Sequence, residues 1–231
     1  MKQHLKRFFQ SRRPSRVLAL FLAAALSVSA FAGWQAVQFH HFTDTLFRQE
    51  MESDTLSMHY ILAWPDAYGI AGDAVCLAPY SPKEQEQAQL QLEQYCKKAR
   101  AICPLFFGKD SRLLLSLLTR RLENSRMEAS FPFYAEPLSP GSGIQSSLPI
   151  LLAEYTFRSK QDVDNYLTLL TQIPAYLEGI AAYEKEKAAA GLFMSDSAAD
   201  KVIEQCYEIL DAEQLIDGIH FLNTTFAQRL H

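Results

Sequence analysis

The chain has 231 residues, of which 48% are hydrophobic, so it can build the core of one large domain or two small ones. Its formal net charge is −4, although the first 16 residues contain six basic side chains and no acid. The rest of the chain is therefore strongly acidic, and such a body repels a phosphate backbone, which excludes nucleic acid as an expected partner.

The basic start precedes an apolar segment with the pattern of an export signal. No charged residue occurs in residues 17–39, a run long enough to cross a bilayer as a helix, and Ala30-Phe31-Ala32 has the small-x-small form of a cleavage site. We predict that residues 1–38 are an export signal or a signal anchor. The apolar run continues past the cleavage site, which favours an anchor. The basic start predicts that the body lies outside, at the cell surface, either membrane-anchored or secreted, with the membrane as a partner through this segment.

Export makes disulfides chemically possible for the four cysteines. Cys96 and Cys103 are too far apart to bridge if they lie on one helix, where two turns separate them by about 10 Å. A pairing of Cys76 with Cys96, Cys103 or Cys206 stays open. Cys206 falls on the apolar face of a predicted helix, which favours a buried free thiol.

Residues 39–231 are predicted to form one helical domain, so the fold class is mainly α: an irregular multi-helix domain that follows an N-terminal signal or anchor helix. A first helix covers residues 39–51. A second begins after a cap at Ser53 or Asp54 and ends at the turn of residues 64–69. His59 lies on its apolar stripe and is interpreted as a hydrogen-bonded core histidine, because no second metal-ligand type follows one helical turn later.

The clearest helix start is Ser81-Pro82-Lys83-Glu84. The serine side chain can accept a backbone N–H of the first turn, proline fits the first helical position, and the glutamate side chain can accept the backbone N–H of the serine. Pro104 ends that helix. The leucine-rich residues 113–118, with Leu122, are apolar on more than one face. We therefore expect the next helix to be buried centrally.

A stretch rich in proline, glycine and aromatic residues occupies residues 130–145. It is interpreted either as a shaped, specific loop or as a plain linker between helical layers. Beyond it, the capping pattern of residues 159–162 opens a long helix that Gly191 ends. The charged residues 184–187 of this helix are interpreted as a solvated face.

Motifs of catalysis are missing from the sequence. It contains no His-Glu-x-x-His zinc motif, no Gly-x-Ser-x-Gly elbow and no phosphate-binding glycine loop. Glu136 and Glu154 bracket the central stretch as a carboxylate pair, but nothing in the sequence fixes their separation. No catalytic residue and no metal ligand is therefore assigned.

Four stretches resemble motifs of a bacterial family, the domain of unknown function 885. They are TLSMHYILAWPDAYGI at residues 55–70, YAEPLSPGSGIQ at 134–145, LPILLAEY at 148–155 and AGLFMSD at 190–196. The resemblance covers roughly Phe42 to the C-terminus. It implies an exported or lipid-anchored, largely helical protein whose fold is related to zinc metallopeptidases of the gluzincin type.

The resemblance also implies a peptidase-like hydrolase, in which zinc-bound water attacks a carbonyl beside a glutamate base. The zinc motif of the family comes after the matched region, so this chain is expected to be its N-terminal helical part, inactive alone. Zinc and peptide substrates are expected only for a longer form. By position, Gly143, Ile144 and Gln145 match the central loop of the family, which is expected to line a cleft or to brace two helical layers.

A membrane-tethered helical binding module without enzymatic activity is the alternative function. The C-terminal segment is the feature that discriminates between the two hypotheses. It keeps apolar residues at helical spacing to its last turn, as expected for a chain cut within a domain rather than for a self-contained module. We expect these side chains to form an exposed patch: Ile216, Ile219, Phe221, Leu222, Phe226 and Leu230.

Overall fold

The computed structural model describes residues 12–70, 74–131, 133–210, 214, 217 and 220–230. These residues contain eight α-helices and no strand, which confirms the predicted mainly α class with a long N-terminal helix. The helices are α1 (Arg12–Ser53), α2 (Thr55–Ile61), α3 (Pro82–Ala101), α4 (Lys109–Glu128), α5 (Ile144–Glu154), α6 (Lys160–Ala189), α7 (Asp196–Ile209) and α8 (Phe221–Arg229).

Helix α1 is a single element of 42 residues, longer than the two separate segments that the sequence predicts. Its part from Val17 onward is long and apolar enough to cross a membrane, and the most apolar window of that part is not buried. Length and composition therefore agree with a signal sequence or a membrane anchor.

The chain divides into two compact units. The first contains the chain up to Thr45 together with Gln94–Asn124, and the second contains Leu46–Glu93 and the chain from Ser125 onward. In the first unit α3 runs antiparallel to α1. The rings of Phe42 and Tyr95 meet at 6.4 Å. Eight residues later, just past the end of α3, the backbone N–H of Cys103 donates to Gln35 Oε1 at 2.9 Å.

The expected central burial of α4 is wrong. Leu115 and Leu122 are buried, but Leu113, Leu114 and Leu117 are each more than half exposed. An apolar run shows that its side chains avoid water, but it does not show which part of the protein covers them. The sequence pattern alone therefore overestimated how much of α4 is buried.

In the second unit, the predicted helix starts are confirmed. Asp54 Oδ1 accepts the backbone N–H of Leu56 at 3.0 Å at the start of α2, and Ser81 precedes α3, whose first residue is Pro82. Ser159 and Asp162 form a reciprocal capping box at the start of α6. These side chains satisfy backbone donors that have no partner within the helix.

The core of the second unit is aromatic and aliphatic. Its buried members come from α2, α5, α6 and the residue after α5, with half-buried Leu222 and Phe226 of α8 packed against them. Arg229 holds α8 to the end of α5: its Nη1 donates to Leu152 O at 2.9 Å and to Tyr155 O at 2.6 Å. The buried members are Leu56, Leu148, Leu152, Tyr155, Tyr166 and Leu169.

The expected C-terminal patch is therefore only partly present. Leu222 and Phe226 pack on the core, because α8 folds back on α5. Phe221 is half-buried as well, whereas Leu230 is 53% exposed. Ile216 and Ile219 lie outside the described residues. All four cysteines are free thiols, and Cys206 is half-buried rather than buried.

Candidate functional site at the central loop

The loop between α4 and α5 is shaped by its own hydrogen bonds. Gly143 N–H donates to Ser139 O at 3.0 Å, and Ile144 N–H donates to Pro137 O at 2.9 Å. Phe133 has φ 58°, a left-handed conformation that is uncommon for a residue with a side chain. These features support the interpretation as a shaped loop, and its last two predicted residues instead form the first turn of α5.

Gly143, Ile144 and Gln145 lie where this loop enters α5. Gly143 precedes the helix and is buried, and a Cβ added there would come within 2.0 Å of Gln145 Oε1 and 2.4 Å of Ser139 N. The buried Gln145 amide donates to Ser139 O at 2.7 Å and to Gln205 Oε1 of α7 at 2.8 Å. The three residues therefore hold the loop against the protein, while their expected role in lining a cleft stays a prediction.

A buried lysine anchors the other side of the loop. Lys187 of α6 is 1% exposed, and its ammonium lies 2.7 Å from Glu136 Oε1. The same ammonium donates to Ala135 O at 3.2 Å, and Tyr183 Oη donates to that carbonyl at the same distance. Two donors from one face of α6 thus fix the backbone at Ala135.

Glu184 lies on the same face of α6 and is 5% exposed. Neither of its carboxylate oxygens has a hydrogen-bond partner of good geometry among the described residues. Burial raises the pKa of Glu184 above its ordinary value of 4.5, the positive charge of Lys187 opposes the rise, and Glu136 adds to it. The surroundings of Glu184 therefore favour its protonated form more than water does.

The interpretation of residues 184–187 as a solvated face is therefore wrong for two of the four. Lys185 and Glu186 are exposed, whereas Glu184 and Lys187 point inward. The stripe that could have identified them runs through Ile180, Tyr183, Glu184 and Lys187, whose spacing of three, one and three residues is that of one helix face.

Close packing of the residues before α3 supports this cluster. The rings of Tyr80 and Tyr183 meet edge to face at 5.2 Å. A Cβ added to Gly179 of α6 would lie 1.8 Å from Tyr80 O, so glycine lets the two backbones approach. Burial raises the pKa of Tyr80, and the neighbouring Tyr183 adds to the rise.

A cavity of about 470 Å³ opens beside the loop. Aromatic rings of the loop and of Tyr183 form part of its lining, and carboxylates come from α3, α4 and α6. Aromatic faces next to carboxylates suit a ligand that is both apolar and positively charged. The rings and acids are Phe131, Phe133, Tyr134, Tyr183, Glu86, Glu128 and Glu186.

His59 lies in a separate cluster of the second unit and is 6% exposed. Its ring stacks on Tyr155 at 3.7 Å, and its Nδ1 lies 3.4 Å from Arg158 Nη1 and 3.8 Å from Asp162 Oδ1. Burial lowers the pKa of His59, Arg158 lowers it further, and Asp162 opposes both. The interpretation of His59 as a core histidine is confirmed.

The described residues contain no group of three or more His, Cys, Asp or Glu side chains that could hold a metal ion. The carboxylate pair suggested for Glu136 and Glu154 also gains no support, because Glu136 is engaged by Lys187. What the site can do is bind and orient a ligand next to a loop that is fixed on two sides.

A family model described as "Bacterial protein of unknown function (DUF885)" matches residues 65–229. No curated protein and no solved structure matches the chain significantly. The family match covers most of the chain, including α3 to α8 and the central loop. The chain therefore belongs to the bacterial DUF885 family.

Proposed function

We propose that this chain is the membrane-tethered, N-terminal helical portion of a peptidase-like hydrolase that works outside the cytoplasmic membrane. Its own task is to tether the protein and to hold substrate. The observation that carries the proposal is the surface of α1, where ten large apolar side chains between Val17 and Val37 are exposed. Such a surface on one helix suits lipid rather than water.

The peptidase class rests on what membership of the DUF885 family implies, a fold related to gluzincin-type enzymes, in which zinc supplies an activated water. The described residues offer no set of donors that fits zinc, so no catalytic step is assigned to them. They offer instead the cavity beside the central loop. Its three carboxylates and its aromatic rings suit an extended peptide with basic side chains.

The tether is tested in cells that express the full chain. The wild-type protein should stay with the membrane after alkaline extraction, and protease added from outside should digest its body. Leu22→Arg with Leu26→Arg should release it, because an arginine at the centre of a span costs about 2.5–3.5 kcal/mol. The matched control pairs Leu192→Arg with Leu210→Arg, which are 51% and 61% exposed on the second unit. A wild-type body found free in the medium would refute the anchor and support a cleaved signal.

A membrane-tethered binding module without enzymatic activity is the second candidate. The cavity favours it, because binding needs only the groups that the described residues supply. A library of basic peptides, assayed for cleavage with zinc or with a chelator and for binding by calorimetry, separates the two roles. Zinc-dependent cleavage by this chain alone would contradict a purely binding role.

The cavity itself has a matched test. Tyr134→Ala, at a lining residue that is 62% exposed, should weaken peptide binding several-fold. Tyr207→Ala, at a tyrosine that is 73% exposed and does not line this cavity, should leave binding unchanged. Equal effects of the two substitutions would show that peptides do not bind in the cavity.

A further inference from the structure

The 3₁₀ turn between α3 and α4 carries exposed apolar side chains. It spans Pro104–Phe106, where Leu105 is 71% and Phe106 is 42% exposed. The first turns of α4 add the three exposed leucines at positions 113, 114 and 117. So many large apolar groups on one small unit indicate a surface that is covered by something other than water.

This turn lies beside α1 within the first unit. The ring of Phe106 meets that of Phe31 at 6.3 Å, edge to face. One residue later, the ring of Phe107 meets that of Phe39 at 5.1 Å. The turn therefore lies alongside the C-terminal half of the apolar run of α1.

The depth of the turn follows from helix geometry. A hydrocarbon layer of about 30 Å takes about 20 helical residues, so a span that starts at Val17 ends near Ala36. Phe31, the partner of Phe106, is then about 21 Å along the span and still within hydrocarbon, whereas Phe39, the partner of Phe107, is about 33 Å along and reaches the headgroup level. Trp34 is 54% exposed near the end of the span, where tryptophan is enriched at membrane interfaces.

We propose that the turn Pro104–Phe106 and the first turns of α4 lie in the outer leaflet of the membrane, where lipid covers Leu105 and Phe106. The inference rests on the proposed tether, because the position of α1 in the membrane sets the depth of the turn beside it. Its ring contact with Phe31 makes the apolar surface of the turn continuous with that of the span. The partner is a lipid surface rather than a second protein.

The charges near the turn fit this placement. Pro104, Arg112 and Arg120 line one shallow groove of about 620 Å³, which also contains the ion pair of Arg100 and Glu123. Neither of these two arginines takes part in an ion pair among the described residues. Guanidinium groups bind phosphate through several donors, so this groove suits the phosphates of anionic phospholipids.

The test uses the full chain in lipid nanodiscs with tryptophan as a depth probe. In a Trp34→Phe, Trp64→Phe background, single tryptophans are introduced as Leu105→Trp, Val28→Trp and Gln94→Trp. Quenching by lipids with brominated acyl chains is then measured. Val28 reports the span, and Gln94 is the water-side control, because its neighbour Tyr95 lies at the level of Phe42, about 38 Å from Val17.

We expect bromolipids to quench the tryptophans at positions 28 and 105 several-fold more than the one at 94. Quenching at 28 with none at 105 would overturn the proposal and leave the tether intact. No quenching at 28 would overturn both. Phe106→Trp repeats the test if Leu105→Trp does not fold.

The headgroup contact is tested with the same probe. Brominated phosphatidylglycerol should quench Leu105→Trp more than brominated phosphatidylcholine does. Arg112→Gln with Arg120→Gln should abolish that difference while leaving quenching by the neutral lipid unchanged. Equal quenching by both lipids in the unsubstituted groove would overturn the assignment of the two arginines.

Discussion

Replacing Lys187 with methionine tests the buried cluster at the central loop. Methionine keeps most of the length of the side chain and removes the charge, so the change acts on electrostatics more than on packing. It leaves Glu184 buried without its nearby cation. It also removes one of the two donors to Ala135 O.

The magnitude follows from the spacing of the charges. Glu184 and Lys187 are one helical turn apart, where side chains three residues apart are neighbours at about 6 Å. A pair at about 6 Å in an effective dielectric of about 20 is worth about 3 kcal/mol. Glu136 is 55% exposed, so its ion pair adds little. Because the substitution also removes the desolvation cost of the ammonium, we expect a net loss of about 2–3 kcal/mol in the free energy of unfolding.

The assay is guanidinium unfolding of the full chain in detergent, followed by circular dichroism. Lys185→Met on the exposed side of α6 is the control and should change the free energy of unfolding by less than about 0.5 kcal/mol. Adding Glu184→Gln to Lys187→Met should restore stability, with a coupling of about 1–3 kcal/mol. Equal effects of Lys187→Met and Lys185→Met, or additive effects of the double variant, would refute the electrostatic argument.

The pH dependence gives an independent check on the same carboxyl. The folded protein holds the proton on Glu184 more tightly than the unfolded chain, whose carboxyl keeps a pKa near 4.5. The contribution of Glu184 to stability therefore falls as pH rises above about 4.5. The deficit of Lys187→Met should grow over this range and shrink in acid, and Glu184→Gln should remove the trend.

Two further substitutions test other contacts. Gly143→Ala should destabilise the protein by at least about 2 kcal/mol, because its Cβ would meet Ser139 N at 2.4 Å. The control is Gly141→Ala, whose Cβ would have open space around it and which should be nearly neutral in thermal unfolding. His59 is the second position: burial and Arg158 lower its pKa below 6.5, so stability should rise with pH up to about 6.5. His59→Phe should flatten that rise in melting temperatures measured from pH 5 to 7, and an unchanged slope would assign it to other groups.

Local signals predicted the local structure well. Asp54, Ser81 and Ser159 begin helices as expected, because a capping side chain and the backbone it satisfies are only a few residues apart in sequence. The mainly α class follows from the same periodicity. Helix starts and helical periodicity depend on residues that are close together in the sequence.

Burial at the candidate site could not be predicted in the same way. The charged run at residues 184–187 resembles a solvated face, and only the distant backbone at Ala135 gives Lys187 a reason to point inward. The leucines of α4 failed in the opposite direction, since apolar periodicity does not show whether another element of the protein covers the side chains. In both cases the deciding partner lies outside the local sequence.

The continuity of α1 has a consequence for how its length can vary. Each residue of a helix turns the following part by about 100°. One residue inserted at positions 33–34 would therefore rotate Phe39 and Phe42, which are buried in the first unit, out of phase with the exposed apolar side chains before them. Substitutions there should be tolerated far better than insertions or deletions. An insertion of four residues would nearly restore the phase, at the cost of a shift of about 6 Å along the axis.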